Sequence, residues 1–196
     1  MGSPLGPSYA NILMCHNEVK WLNECPDLFK PIWYKRYADD TFLIFKDSSH
    51  PQMFLNYINS KHSKIKFTYD QEVNDKLSFL DVNLTKTPSG TISTSVFRKK
   101  TFTCQSLNWF SFCPEIFKLN SIQTLIHRAF NITSNYSLFH KEMMFLKDLF
   151  VSNNYSTEVF YQILKSFLAK KYKQAPTFDT VPKCYIKLNY LFMEMT

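Results

Sequence analysis

The 196-residue sequence predicts an α+β protein, and two observations of periodicity support this. Up to about residue 100, apolar residues alternate with polar ones over short segments, which is typical of strands, and helical segments interrupt them. From Pro114 onwards, apolar residues recur three to four positions apart, which is typical of amphipathic helices. An aromatic content of 17%, with 19 Phe, indicates a folded core rather than a disordered chain.

The first half begins with a loop shaped by two glycines and two prolines, after which a helix is predicted to start at Ser8. The segment WYKRYADDTFLIF then predicts a tight hairpin between two aromatic strands. A short helix and a third strand should follow. The predicted elements are the helix Ser8–Trp21, the strands Ile32–Ala38 and Thr41–Lys46, the helix Pro51–Lys61 and the strand Lys64–Tyr69.

A second hairpin is predicted from Leu77–Thr85 and Thr91–Lys99, with Gly90 supplying the turn conformation that other residues resist. Asp81 would lie inside the first of these strands, where a structural hydrogen bond is its expected use. Three helices follow. They begin at Pro114, at Leu138 (to Val151) and at Thr157 (to Tyr172), and their apolar stripes predict a small bundle.

The net charge of +7 is unevenly distributed. Residues 1–97 hold 10 Lys+Arg and 10 Asp+Glu, whereas residues 98–196 hold 13 and 6, which gives the second half the whole excess of 13 − 6 = +7. A basic half suits a polyanionic partner such as nucleic acid, although ordinary solubilising charge would give the same balance.

The five cysteines form no CxxC pair and no Cys/His group with zinc-finger spacing, so they are interpreted as reduced thiols of an intracellular protein. No signal peptide and no apolar run long enough to span a bilayer is present. The sequence therefore predicts neither secretion nor a membrane partner.

The adjacent carboxylates of Asp39 and Asp40 are the most informative feature of the first hairpin. A two-residue hairpin turn favours Asn-Gly or Asp-Gly, so Asp-Asp is a poor choice for the turn alone. Two like charges this close are unfavourable unless a cation compensates them. Mg²⁺ prefers carboxylate oxygens and keeps open positions for phosphates, so a metal site is the functional interpretation and a solvated turn the structural one.

The motif Tyr37-Ala38-Asp39-Asp40 resembles the YxDD box of reverse transcriptases, the metal-binding hairpin of the palm. The preceding MGSPLGP resembles the motif that comes before that box. FLDVNL (Phe79–Leu84), VFRKKTFT (Val96–Thr103) and the helical SFCPEIFKLNSIQTLIHRAFNI resemble the Penelope-like retroelements in particular. The resemblance covers nearly the whole chain. It implies a palm of antiparallel sheet and flanking helices in residues 1–104, a helical thumb-like bundle containing a helix-turn-helix-like segment in 105–175, and the start of a linker in 176–196.

The resemblance also implies an activity, RNA-directed DNA synthesis, with RNA template, DNA primer and deoxynucleoside triphosphates as partners and a nuclear location. Mg²⁺ or Mn²⁺ would be held by the catalytic residues Asp39 and Asp40. The other implied site residues fall into three groups: Gly2, Ser3, Pro4 and Tyr37 for nucleotide and template; Arg98, Lys99, Lys100, Lys170, Lys171 and Lys173 for the primer; and Lys66 as a possible general acid. A solvent-facing strand lysine is the expected alternative for Lys66.

Reverse transcriptases carry a further catalytic Asp on a strand upstream of the glycine-proline loop, and this chain begins at that loop. We therefore expect a fragment that is inactive alone, with the linker leading towards a GIY-YIG endonuclease in the complete protein. Two alternatives stay open: a non-catalytic nucleic-acid-binding remnant, and a palm fragment of another retroelement lineage. The oligomeric state is not predicted.

Overall fold

A computed structural model describes residues 4–173 and 189–195. The described residues form an α+β protein with five helices and seven strands, and every strand pairing defined in them is antiparallel. The helices are α1 (Gly6–Asn23), α2 (His50–Ser60), α3 (Glu115–Ile132), α4 (Tyr136–Ser152) and α5 (Thr157–Lys173). The strands are β1 (Trp33–Tyr37), β2 (Asp40–Phe45), β3 (Phe67–Gln71), β4 (Lys76–Phe79), β5 (Val82–Lys86), β6 (Ile92–Val96) and β7 (Asn189–Met195).

The chain divides into two compact units, Met1–Leu80 with Ile186–Thr196, and Asp81–Tyr185. The resemblance implied segment boundaries at residues 104 and 175, which would place the β5–β6 hairpin in the palm. In the structure, this hairpin instead falls in the same compact unit as helices α3, α4 and α5. Residues 189–195, within the segment expected to begin a linker, form β7. The other residues of the expected linker segment 176–196 lie outside the described residues.

The first unit is built on a four-stranded sheet in the order β1-β2-β7-β3. Its central strand β2 is buried along five consecutive residues, because helices cover one face and aromatic rings of Trp33 and Phe79 contact Phe42 on the other. Leu43 and Phe45 form a core with Trp21 of α1 and with residues of α2. The alternating side-chain directions of a strand thus direct Thr41, Leu43 and Phe45 to the helices.

The second unit combines the β5–β6 hairpin with α3, α4 and α5. Gly90 closes the hairpin with φ +77°, as its expected turn role requires. A core of buried side chains from all three helices, including Ile122, Ile126, Leu146, Phe150 and Phe160, holds the bundle together. The hairpin is fastened to the bundle through the backbone of Thr94, which exchanges hydrogen bonds with Ser134 at the start of the α3–α4 connection.

Three strand predictions need correction. The expected strand Leu77–Thr85 is interrupted at Leu80, whose φ of +52° turns the chain between β4 and β5. Asp81 therefore lies in a turn, where it pairs with Arg128 at 3.0 Å. β3 starts at Phe67 rather than at Lys64, because Asn59 of α2 binds the Phe67 amide and carbonyl and fixes the beginning of the strand there.

Candidate metal-binding turn and nucleic-acid surfaces

The first hairpin turns one residue earlier than the sequence suggests. Strand pairing ends with Tyr37 opposite Asp40, so Ala38 and Asp39 are the two turn residues. Ala38 has φ +52°, the left-handed conformation that the first position of the tight hairpin turns requires. Asp40 is consequently a strand residue. Since side chains alternate along a strand, a shift of one residue decides which face of the sheet each carboxylate belongs to.

The two carboxylates occupy different environments. Asp39 is exposed at the tip of the hairpin, whereas Asp40 is half-buried as the first residue of β2. The five buried residues that follow Asp40 fix its backbone position in the sheet. On the other side of β2, the ladder register pairs Asp40 with Glu194 of β7. The register thus brings a third acidic residue of the sequence opposite the motif.

Arg36 links this turn to helix α1. Its Nη1 donates to the carbonyl oxygen of Ala38 at 2.9 Å, its Nη2 donates to Asn11 Oδ1 at 2.9 Å, and its Nε donates to Glu18 Oε1 at 2.6 Å. Tyr34 adds a second hydrogen bond to the same oxygen of Glu18, at 2.7 Å. The turn backbone is therefore tied to the helix through a single guanidinium group.

The Glu18–Arg36 pair is largely removed from solvent, with side chains only 10% and 8% exposed. Burial raises the pKa of the Tyr34 hydroxyl, and the negative charge of Glu18, which accepts its hydrogen bond, raises it further. For Arg36, burial opposes the charged form, but the hydrogen bond and charge of Glu18 outweigh burial and raise its pKa. Arg36 is thus charged, and its charge is neutralised by Glu18.

The two carboxylates at the turn suit Mg²⁺ or Mn²⁺ in a site where the substrate supplies some of the ligands. Such ions bind through one or two carboxylates and complete their shell with water and phosphate oxygens. Within residues 4–173, no group of three His, Cys, Asp or Glu side chains is arranged to hold a metal. Asp39 and Asp40 would therefore provide the protein ligands from this hairpin.

The other predicted nucleotide-site residues are only partly placed. Tyr37 is exposed beside the turn, and Pro4 is exposed just before α1. Gly2 and Ser3 lie outside the described residues. Lys66 is not on a strand: its Nζ donates to the carbonyl oxygens of Asn59, at 2.8 Å, and His62, at 3.4 Å, where it binds the end of α2.

The predicted basic cluster after β6 separates into one structural and two exposed residues. Arg98 forms two hydrogen bonds with the carboxylate of Glu142 on α4, and its guanidinium lies 3.9 Å from the Phe145 ring. Lys99 and Lys100 are exposed. The charge of Arg98 is thus neutralised by Glu142. Of the three basic residues, only Lys99 and Lys100 present their charge to solvent.

The basic end of α5 lies near the end of α3. Lys170 is exposed, and Lys171 places its Nζ 5.6 Å from the ring of Phe130. Lys173 is the last residue of α5, and only its backbone is described. These lysines belong to the same unit as Lys99 and Lys100, whereas the acidic turn belongs to the other unit.

Two features of the sites were missed by reasoning from the sequence. The first is the buried pair of Glu18 and Arg36 that supports the acidic turn. The available signal was Glu18 itself, a charged residue on the same helix face as the buried Met14 and Trp21. The second is Asn153, which is buried at the end of α4 and whose side chain hydrogen-bonds to three backbone groups. No periodicity distinguishes such an amide from the asparagines that surround it.

Comparison with known proteins gives one family. The model described as the animal helix-turn-helix domain matches residues 105–164, which include α3, α4 and the first half of α5. No curated protein and no solved structure matches the chain significantly. None of the helices in the described part of the chain is long and apolar enough to cross a membrane.

Proposed function

We propose that the chain is part of an RNA-directed DNA polymerase of the Penelope-like type, in which the first unit contributes the metal-binding hairpin of the palm. The observation that carries this proposal is the position of Asp39 and Asp40 at the open end of a buried strand, with Arg36 fixing the turn backbone. A solvated acidic loop needs no such support, whereas a metal site needs carboxylates held within fractions of an ångström.

In the proposed reaction, the 3′-hydroxyl of a DNA primer attacks the α-phosphorus of a deoxynucleoside triphosphate, and pyrophosphate leaves. Divalent cations bound here would stabilise the attacking and leaving oxygens of this displacement. Asp39 and Asp40 would hold and orient them, while the hydrogen bond from Arg36 fixes the turn backbone. Exposed Tyr37 would offer a ring beside the incoming base, and the amino group of Lys66 is occupied by the backbone carbonyls of Asn59 and His62 rather than directed to a leaving group.

The second unit would hold the template and primer. Lys99, Lys100, Lys170 and Lys171 supply positive charge for phosphates, which positions a duplex without reading its sequence. The match to a helix-turn-helix model over residues 105–164 favours nucleic acid as the partner of this unit. A nuclear location follows from this proposal, since the polymerase would act on chromosomal primers.

A non-catalytic nucleic-acid-binding protein is the second candidate. The observation in its favour is that the helix-turn-helix match falls entirely in the second unit and leaves the acidic hairpin outside. This candidate requires nucleic-acid binding that is insensitive to Asp39 and Asp40, and it requires no metal.

Primer extension distinguishes the two candidates. The chain would be joined to the fingers and first palm strand of a Penelope-like reverse transcriptase and assayed on an RNA template with a DNA primer. We expect extension that requires Mg²⁺ or Mn²⁺ and disappears in Asp39→Ala, while Ser49→Ala, at a distant exposed turn, retains it. Extension that survives Asp39→Ala would refute the assignment of the site.

A further inference from the structure

We infer that the loop before α3 and the exposed face of α3 form a binding site for unpaired bases of single-stranded nucleic acid. The inference concerns the second unit alone and does not depend on the proposed polymerase activity. Its starting point is a pair of phenyl rings that the fold leaves in solvent. Phe110 is 80% exposed, and Phe112 is fully exposed.

These rings project from a loop that is rigidly anchored. The buried amide of Asn153 donates to the carbonyl of Cys104 at 3.0 Å and accepts from the amide of Ser106 at 3.1 Å, and its own carbonyl accepts from the amide of Trp109 at 3.0 Å. The Trp109 ring packs on Tyr155. The chain therefore enters the 110–112 turn from a fixed point, so the exposure of the two phenyl groups is built into the fold rather than due to a loose segment.

Beyond the exposed Glu115 at its first position, α3 continues this surface with an exposed face that carries no charge. All exposed side chains from residue 116 to residue 131 are uncharged: Ile116, Phe117, Asn120, Gln123, Thr124, His127, Phe130 and Asn131. The two charged residues of the span, Lys118 and Arg128, are half-buried, and Arg128 pairs with Asp81. A solvent-facing helix surface is ordinarily charged, so an uncharged one of this length indicates a surface that binds a partner.

The chemistry of this face suits base edges. Amides, a hydroxyl and an imidazole both donate and accept hydrogen bonds, and Asn and Gln match the paired donor and acceptor of a base. A groove of about 380 Å³ lies against Asn120, Gln123, Thr124 and His127. The rings of His127 and Phe167 form an edge-to-face pair with centroids 6.0 Å apart, and His127 Nδ1 lies 3.0 Å from Asn131 Nδ2.

Positive charge lies at the two ends of this face rather than along it. Lys118 Nζ is 5.4 Å from the Trp109 ring at the beginning of α3, and Lys171 Nζ is 5.6 Å from the Phe130 ring at its end. This arrangement differs from a duplex-binding surface, where phosphate contacts dominate. Single strands are instead bound by stacking bases on aromatic rings and bonding their exposed edges, which is what exposed phenyl groups beside amides provide.

The test is fluorescence anisotropy on the full chain, with a 12-nucleotide single strand, the matching duplex, and a strand of equal length that lacks bases. We expect the single strand with bases to bind more tightly than the strand without bases. Phe110→Ala and Phe112→Ala should each weaken it by at least about fivefold. They should leave the strand without bases unaffected, and Gln123→Ala should change the ratio between adenine-rich and uracil-rich strands.

Tyr161→Ala is the matched control, because Tyr161 is a half-exposed aromatic residue on α5 that packs on Phe160, away from this face. Because Phe110 and Phe112 are exposed, their variants should keep the thermal midpoint of the wild-type chain. The inference is overturned if the strand without bases binds as tightly as the normal strand, if the phenylalanine variants weaken duplex binding as much as single-strand binding, or if Tyr161→Ala weakens binding as much as the phenylalanine variants. Loss of primer extension in Asp39→Ala without any change in these affinities would separate this site from the polymerase site.

Discussion

The side chain of Arg36 joins Glu18 of α1 to the Ala38 carbonyl of the acidic turn, with hydrogen bonds of 2.6 Å and 2.9 Å. Its own charge is used in this link, since the Glu18 carboxylate lies against it in a site largely closed to solvent. The backbone of the acidic turn is thereby fixed in position by a cation that is itself paired with Glu18.

Removing Arg36 should destabilise the first unit strongly. Arg36→Met leaves Glu18 buried and unpaired, which costs about 3–5 kcal/mol in proteins when one partner of a buried pair is removed. The double variant Glu18→Gln/Arg36→Met should recover much of this loss, because no buried charge is then left without a partner. Urea unfolding followed by circular dichroism measures both. Equal losses in the single and double variants would contradict the buried pair.

The raised pKa of Tyr34 predicts a loss of stability at alkaline pH. Its contribution is fully present below the ordinary tyrosine pKa of about 10 and is lost as pH rises, because the unfolded chain releases this proton before the folded protein does. Between pH 10 and 11, the free energy of unfolding should therefore fall with rising pH more steeply than it does in Tyr34→Phe. The difference should be up to about 1.4 kcal/mol per pH unit. Urea unfolding at a series of pH values tests this. Tyr37→Phe, at an exposed position, should keep the wild-type slope.

Ala38→Gly should stabilise the hairpin. Alanine in the left-handed conformation is strained by about 1–2 kcal/mol, and glycine avoids this strain at the expense of extra freedom in the unfolded chain. We expect a net gain of up to about 1 kcal/mol. Ala10→Gly is the matched control, because Ala10 is exposed within α1 and the same change there should destabilise by about 1 kcal/mol. Thermal denaturation of both variants distinguishes turn strain from a general effect of glycine.

A divalent cation should stabilise the chain through the acidic turn. Asp39 and Asp40 are adjacent, and the backbone register pairs Asp40 with Glu194, so three acidic residues occupy neighbouring positions of the ladder. Mg²⁺ at millimolar concentration should raise the thermal midpoint, and Asp39→Asn should abolish this rise more fully than Asp40→Asn. Asp75→Asn, at another exposed turn, is the control. A midpoint that responds to Mg²⁺ equally in all three variants would place the ion elsewhere.

The exposed lysines after β6 should contribute to nucleic-acid affinity, whereas Arg98 should contribute to stability. In a salt titration with a primer–template duplex, Lys99→Ala/Lys100→Ala should lower the slope of log K against log salt by about 1–2. Arg98→Met should instead lower the free energy of unfolding by about 2–3 kcal/mol, since Glu142 loses a bidentate partner. An unchanged salt slope in the double lysine variant would exclude these two residues from the interface.

Local pattern was enough to predict the helices and the existence of both hairpins. The stripe of α3 and the continuous apolar run of β2 depend on which residues face the core, and both are visible in the chain itself. The acidic pair was recognisable as a candidate site because adjacent like charges at a turn are unfavourable without a cation. Element limits were less secure: the strand expected across Leu77–Thr85 is broken by the backbone of Leu80, whose side chain gives no sign of a turn.

Tertiary structure alone decided how the site is supported. The partners Glu18 and Arg36 are 18 residues apart, and Arg98 and Glu142 are 44 apart, so only the folded chain shows that one arginine fixes a turn and the other is withdrawn from the surface. The position of Asp40 in β2 was likewise set by the pairing of Tyr37 with Asp40, not by residue preference. Sequence fixes chemistry and local periodicity, whereas long-range packing fixes register and burial, because these depend on contacts between segments that local preferences do not specify.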